Sequence, residues 1–159
     1  MLSLRERLYG GPTIAGDGPK GTRLPKTSDV VDVNLHNLQN PHLVREIHQS
    51  DLSAGAEALT TCTWNAAYLI PRIGEGEVYR LSTSGVRLAR EMANGNAYVV
   101  AALGPVGWNL EEINEIGAKK AAEYYRVPLL GFKEAGIDGL MLETFTDGDD
   151  SILAYKTAS

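Results

Sequence analysis

Residues 97–105 read AYVVAALGP, a continuous apolar run that ends at Gly104 and Pro105. Strands that are buried on both faces of a parallel sheet have this character, whereas half-exposed strands alternate apolar and polar residues. Shorter strand-like runs lie at 13–15, 58–63 and 139–142, and the starts of the four runs are 45, 39 and 42 residues apart. This spacing leaves room for a helix after each strand and predicts four parallel βα units.

Helical patterns fill the intervals between these runs. They lie at 41–54, from a cap at Ser82, Thr83 or Ser84 to Gly95, at 115–135, and from Asp149 or Asp150 to Ser159. Pro128 is expected to kink or split the third of them, because proline removes a helical hydrogen bond and clashes with the preceding turn. No low-complexity linker divides the chain, so we expect one α/β domain over residues 1–159.

The composition is that of a folded protein in a reducing compartment. The chain has 159 residues, of which 43% are hydrophobic, and its formal net charge is −5. An acidic chain lacks the basic face that neutralises nucleic-acid phosphates. One cysteine excludes a disulfide scaffold, residues 1–9 lack the pattern of a signal peptide, and no apolar run approaches the ~20 residues that span a bilayer. We therefore expect a cytoplasmic protein that binds neither nucleic acid nor membrane.

Each predicted strand ends in residues that packing alone would not select. They are Asp17, the threonines of 61–63, Gly104 and Glu143. Ligands bind at the carboxyl ends of the strands in parallel βα folds. The carboxylates of Asp17 and Glu143 would there hold an ammonium group by charge-assisted hydrogen bonds. The alternative is that each carboxylate caps a turn or a following helix.

Other candidate motifs favour structural interpretations. Gly16, Gly18 and Gly21 match the spacing of a dinucleotide-binding loop, but Pro19 follows where that motif requires a helix. The three histidines, His36, His42 and His48, are expected to lie on the surface. Trp64 and Trp108 come just after strand ends, so they are the aromatic residues best placed to contact a ligand, although core packing is the alternative.

Several stretches resemble the motifs of one enzyme family. They are GDGPKGT at 16–22, NPHLVREIH at 40–48, AGAEALTTCTW at 54–64, GPVG at 104–107, EAGID at 134–138 and LETF at 142–145. In order and spacing they resemble the homocysteine S-methyltransferase family, which includes the homocysteine domain of cobalamin-dependent methionine synthase and betaine–homocysteine methyltransferase. The family opening reads DGAMGT, so Pro19 and Lys20 replace its alanine and methionine.

The resemblance implies a substrate site. Asp17 and Glu143 fall on the family residues that hold the amino group of homocysteine, and Gly18, Thr63 and Gly104 belong to the motifs around them. Family members also bind Zn²⁺ through three cysteines, which converts the substrate thiol to a thiolate. Cys62, the one cysteine of this chain, stands at the asparagine of the family's TNTF motif. We therefore expect no metal site and no other cofactor here, and Cys62 is expected to be a small buried hydrophobe.

The resemblance also implies a (β/α)8 barrel, which typically needs about 250 residues. This chain resembles the N-terminal half of that barrel, a (βα)4 half-barrel. Because four parallel strands alone expose two edges, we expect a homodimer in which two copies close one barrel. A monomer whose loops and helices cover the sheet, and a larger assembly, are the alternatives.

Two functions follow from these observations. The first is thiol methyl transfer, with Asp17 and Glu143 orienting homocysteine or a related amino acid. The second is non-catalytic: a self-assembling half-barrel that binds a small molecule weakly or not at all, or that pairs with a separate C-terminal half.

Overall fold

A three-stranded parallel sheet forms the centre of the fold. The computed structural model describes residues 1–26, 32–107 and 110–159, and its strands are β1 (Ala58–Thr60), β2 (Tyr98–Leu103) and β3 (Gly139–Leu142), paired in that order. All six residues of the central strand β2 are buried, as its continuous apolar sequence predicts. Leu59 pairs with Val99 and Ala101 pairs with Leu140, so the three strands end at one edge of the sheet.

Helices precede, connect and cover the strands. They are α1 (Leu4–Gly10), a 3-10 turn (Val33–Leu35), α2 (His36–Gln39), α3 (Pro41–Ser53), α4 (Ala66–Ile73), α5 (Glu75–Ala93), α6 (Leu110–Ala135) and α7 (Gly148–Ala158). The start of α3 is as predicted, with Pro41 at its first turn, where a missing N–H costs no helical hydrogen bond. Among the described residues, no helix combines the length and the apolar character needed to cross a membrane.

The first predicted strand is wrong. Residues 13–15 form no strand, and only Gly16 makes a single parallel bridge, to Ala58 of β1. The carbonyl oxygen of Ala15 accepts hydrogen bonds from the backbone N–H groups of Glu57 and Ala58, at 2.8 and 3.2 Å. The segment therefore lies beside β1 in the expected place, but a single bridge takes the place of a ladder.

Two helix starts also differ from the prediction. Helix α5 begins at Glu75, not at residues 82–84, and Ser82 and Thr83 are buried within it. The hydroxyl of Thr83 donates to the carbonyl oxygen of Tyr79, which is the bond that such residues make inside helices. Helix α7 is capped by Asp147, whose carboxylate accepts from the backbone N–H of Asp149, so Asp149 and Asp150 lie in its first turn.

The break in helix α6 lies at Gly117 and not at Pro128. Gly117 has φ 73° and ψ 154°, which no helical residue adopts, whereas the helix continues through Pro128. Glycine takes a positive φ without a steric cost, so the chain turns there at little energetic expense.

The helices pack on one face of the sheet. Leu59, Val99, Ala101 and Leu103 join side chains of α5, α6 and α7 in the main core. Burial of a large apolar side chain contributes roughly 1.5–3 kcal/mol. This face therefore holds the strands in register and fixes the positions of the loops that follow them.

The N-terminal segment covers the opposite face of the sheet at its amino end. There the hydroxyl of Tyr98 donates to the carbonyl oxygen of Leu2 at 3.0 Å, and a β-carbon on Gly139 would lie 2.7 Å from the Leu4 side chain. At the carboxyl end, Ala102 and Met141 line an open cleft. The N-terminal segment thus occupies part of the surface that we expected a second copy to cover, and dimerisation stays a prediction.

Candidate functional site

The cleft lies at the carboxyl ends of the three strands and has a volume of about 410 Å³. Small-molecule sites commonly measure about 300–1,000 Å³. The chemistry-bearing residues of its lining are Asp17, Lys20, Thr60, Cys62, Trp64 and Glu143. Asp17 and Glu143, which the sequence placed at two different strand ends, therefore meet in one cleft.

Asp17 is the centre of a closed polar cluster. Its carboxylate accepts from the backbone N–H and the hydroxyl of Thr60, each at 2.8 Å, and forms a short ion pair with Lys20. The Lys20 ammonium also donates to the carbonyl oxygen of Gly18 at 3.2 Å and to the Thr60 hydroxyl at 3.0 Å. Only 2% of the Asp17 side chain and 7% of the Lys20 side chain are exposed. A carboxylate this enclosed fixes the loop 17–20 to the end of β1.

Glu143 presents a half-buried carboxylate to the same cleft. Its backbone N–H donates to the carbonyl oxygen of Leu103 at 3.0 Å, and its own carbonyl oxygen accepts from the Trp64 indole N–H at 3.2 Å. Burial raises the pKa of Glu143, nearby Lys20 lowers it and Asp17 raises it. Within the described part of the chain, the Glu143 carboxylate has no hydrogen-bond partner, so it is open to a ligand.

The residue after Glu143 has a strained backbone. Thr144 adopts φ 62°, a left-handed conformation that is rare for a β-branched residue. Strain of this kind costs of order 1–3 kcal/mol and is concentrated at functional sites. The left-handed conformation of Thr144 turns the chain sharply out of β3 and leaves Glu143 at the rim of the cleft.

The hydroxyl of Thr63 is committed to the sheet. It donates to the carbonyl oxygen of Ala102 at 2.8 Å and lies 2.5 Å from the hydroxyl of Thr61, which accepts from the Ala102 N–H at 3.1 Å. Both threonines are buried and line the cleft. Thr63 therefore lines the cleft, but its hydroxyl donates to the protein backbone, and its contact with a substrate stays a prediction.

Gly104 contributes to the site through Trp64. Its N–H donates to the Trp64 carbonyl oxygen at 2.8 Å. A β-carbon at Gly104 would overlap the indole ring, lying 2.7 Å from Cδ1 of Trp64. Glycine is thus required for the indole to reach Glu143. Trp64 lines the cleft as proposed from the sequence, whereas Trp108 lies outside the described residues.

Cys62 is a buried thiol, as expected. It is 4% exposed, and its thiol donates to the carbonyl oxygen of Val33 at 3.8 Å. Burial raises the pKa of Cys62 to about 12, so it remains protonated at neutral pH. Among the described residues, no three His, Cys, Asp or Glu side chains are grouped to hold a metal ion. These donors do not fit the three-thiolate zinc site that the resemblance implies.

Two of the three histidines are buried, contrary to the prediction. The Nε2–H of His36 donates to the carbonyl oxygen of Pro25 at 2.9 Å, and His48 has no exposed surface, while His42 is exposed. The pKa of His48 is lowered to about 3, chiefly by burial and also by the charges of Lys20 and Arg23, while Asp51 acts in the opposite direction. Neither ring nitrogen of His48 has a hydrogen-bond partner among the described residues.

Lys20 and Thr60 are the site residues that the sequence analysis missed. Thr60 stands inside a predicted strand, and the sequence distinguishes Lys20 only as a replacement for the family's methionine. The available signal was the spacing of Asp17 and Lys20, three residues apart in a turn, which brings opposite charges within reach of each other.

A family model described as homocysteine S-methyltransferase matches residues 14–158. The chain is 28% identical over 155 residues to S-methylmethionine–homocysteine S-methyltransferase BHMT2 of Rattus norvegicus, covering 95% of this chain and 41% of that protein. It is 25% identical over 152 residues to methionine synthase of Mycobacterium tuberculosis, covering 84% of this chain and 12% of that protein.

Solved structures show a similar fold. The metallated form of the homocysteine methyltransferase MmuM from Escherichia coli superimposes with a TM-score of 0.76 and 21% identity, covering 98% of this chain and 62% of that one. The apo form of the same protein gives a TM-score of 0.74. The chain thus spans less than two thirds of the length of each of these relatives.

Proposed function

Because this chain belongs to the homocysteine S-methyltransferase family, we propose that it binds homocysteine in the cleft at the carboxyl ends of β1, β2 and β3. It would serve there as the amino-acid-binding half of a methyl-transfer barrel. The match of the family model over residues 14–158 supports the ligand class. The place of the cleft supports the site, because ligands of parallel βα folds bind at this edge of the sheet.

The open carboxylate of Glu143 is the observation that carries this proposal. An ammonium group donates strong hydrogen bonds to a carboxylate, and the bond gains strength where water is excluded. Glu143 is half-buried and lacks a partner within the described residues, whereas the carboxylate of Asp17 already accepts from Thr60 and Lys20. We assign the amino group of the ligand to Glu143, with the Trp64 indole fixing the backbone that carries it.

The chain's own residues bind and orient the amino acid in this proposal and do not activate its thiol. Methyl transfer forms a carbon–sulfur bond, releases the demethylated donor and requires loss of the thiol proton, because the thiolate is the nucleophile. Cys62 is buried with a pKa of about 12, and the described residues contain no cluster of metal ligands. The second candidate function, a half-barrel that binds a small molecule without turnover, is kept as the alternative proposal.

We further propose that two copies associate to complete the barrel. β3 pairs with β2 along one edge, and in the described residues its other edge has no strand beside it. Met141 on β3 is 41% exposed, which is unusual for a large apolar residue in a parallel strand. Light scattering at several concentrations would give twice the monomer mass if this is right, and a monomer mass at all concentrations would contradict it.

Isothermal titration of the purified chain with L-homocysteine tests the binding site. The Glu143→Gln variant keeps the shape of the side chain but loses its charge. We expect it to weaken binding about ten- to hundredfold, since a hydrogen bond to a charged group is worth about 1.5–3 kcal/mol. Glu46→Gln, an exposed glutamate on α3, is the matched control and should bind as the wild type does.

The pH dependence gives a second readout of the same residue. Because burial raises the pKa of Glu143, homocysteine binding should weaken as the pH falls through a range above that of an ordinary glutamate. The Glu143→Gln variant should lose this dependence. Equal affinity of the wild type and Glu143→Gln at every pH would refute the assignment of the amino group.

A further inference from the structure

Lys20 places an ammonium group of the protein against the carboxylate of Asp17, at the inner end of the cleft lining. The amine of a lysine carries three N–H donors. In this structure they have three acceptors: the carboxylate of Asp17, the carbonyl oxygen of Gly18 and the hydroxyl of Thr60. No donor of Lys20 is left for a ligand.

The carboxylate of Asp17 is correspondingly occupied. It accepts from the N–H and the hydroxyl of Thr60 in addition to Lys20, and only 2% of its side chain is exposed. A ligand that used Asp17 would have to displace Lys20 into the cleft. That displacement would separate a buried ion pair, and an unpaired buried charge is costly.

We propose that Lys20 is a specificity-determining residue whose ε-ammonium acts as an internal ligand of Asp17. Of the two carboxylates in the cleft, Glu143 is consequently the one that can accept from the ammonium group of a ligand. A ligand whose ammonium group must bond to both Asp17 and Glu143 therefore binds weakly. This inference rests on the proposed function for the identity of the natural ligand. The occupation of Asp17 by Lys20 does not depend on the identity of that ligand.

The Lys20→Met variant tests the effect on ligand choice. Methionine has a similar length and no charge, so it fills the space of the lysine side chain while the carboxylate of Asp17 loses its ion pair. We expect L-homocysteine to bind Lys20→Met about tenfold more tightly than the wild type, the effect of one charge-assisted hydrogen bond. Binding of 4-sulfanylbutanoate, the same thiol acid without the amino group, should stay within about twofold.

Arg23→Met is the matched control for loss of a positive charge from the same loop. Arg23 pairs with Asp51 at 2.5 Å and does not contact Asp17. Arg23→Met should leave the ratio of the affinities for L-homocysteine and 4-sulfanylbutanoate unchanged. If Arg23→Met raises the ratio as much as Lys20→Met does, the effect is one of net charge, and the specific role of Lys20 is refuted.

Lys20→Ala tests the occupation of Asp17 without any amino-acid ligand. Truncation to alanine removes the part of the side chain that n-propylammonium would replace. We expect propylammonium chloride to raise the unfolding midpoint of Lys20→Ala more than potassium chloride at equal concentration does, and to have no such effect on the wild type. If Lys20→Ala does not fold, propylammonium should instead restore folding, measured by circular dichroism.

The two experiments separate the two proposals. If propylammonium stabilises Lys20→Ala and no variant binds L-homocysteine, the occupation of Asp17 stands and the proposed function fails. If propylammonium has no specific effect and the wild type binds L-homocysteine as tightly as Lys20→Met, the inference about Lys20 is overturned while the proposed function stands.

Discussion

His48 should make the stability of this protein sensitive to mild acid. The ring is completely buried on α3, and burial lowers its pKa to about 3, with Lys20 and Arg23 lowering it and Asp51 raising it. In the unfolded chain the same ring has a pKa near 6.5. Between these two values the unfolded state binds one proton more than the native state, so stability falls as the pH falls from about 6.5 toward 3.

The size of the effect follows from this difference in protonation. The slope approaches about 1.4 kcal/mol per pH unit, so that His48 alone removes about 2 kcal/mol between pH 7 and pH 5. Substitution by leucine, which is apolar and similar in size, abolishes the contribution. The difference in free energy of unfolding between the wild type and His48→Leu should therefore change by about 2 kcal/mol over this range.

Urea denaturation at pH 7, 6 and 5 measures this difference. His42→Leu is the control, because His42 lies on the same helix and is exposed, so its variant should keep the pH dependence of the wild type. If His48→Leu and the wild type show parallel pH profiles, His48 binds protons equally in the native and unfolded states and the reasoning from burial is wrong.

Two further predictions concern the walls of the cleft and the core beneath it. Gly104→Ala should displace the Trp64 indole and weaken homocysteine binding about tenfold or more, as measured by titration calorimetry. The control is Gly148→Ala, where a β-carbon meets open space and binding should be normal. Equal affinities of the two variants would contradict the role given to Trp64. Tyr125→Phe should lower the free energy of unfolding by about 1–3 kcal/mol, because the buried Tyr125 hydroxyl donates to the carboxylate of Asp150 at 2.7 Å. Urea denaturation measures the loss, and an unchanged urea midpoint would exclude a stabilising role for that bond.

The strands that the sequence predicts well are those with a strong local signal. Residues 97–103 form a single apolar run, and β2 occupies Tyr98–Leu103. β3 was predicted at 139–142 and lies at Gly139–Leu142. Residues 13–15 carry a weaker signal, and the structure gives them two backbone hydrogen bonds between Ala15 and the start of β1 in place of a strand.

The predicted helix starts are wrong where a side chain suits both the cap and the interior of a helix. Serine and threonine favour N-caps, but inside a helix they can bond to the preceding turn, as Thr83 does to Tyr79. His48 is ambiguous in a similar way. Its spacing from Val44 and Ile47 places it on the inner face of α3, but a histidine pattern alone does not reveal whether the ring is neutral and buried.

The candidate site was predictable in part. Strand ends and motif resemblance place Asp17 and Glu143 at one edge of the sheet, and the structure brings both into one cleft. The ion pair of Asp17 with Lys20 depends on the path of a turn that no periodicity describes. For this reason, the sequence predicted two equivalent carboxylates, whereas the structure contains one that is occupied and one that is open.

A titration of the isotopically labelled chain with L-homocysteine, followed by amide NMR, tests the central claim most directly. We predict that the amides of Thr61, Trp64 and Glu143 shift in a saturable manner. The groove of about 550 Å³ between α6 and α7, which includes Ile137, should be unaffected and serves as the internal control. Saturable shifts confined to that groove, or no shifts at any concentration, would contradict the claim that this cleft binds homocysteine.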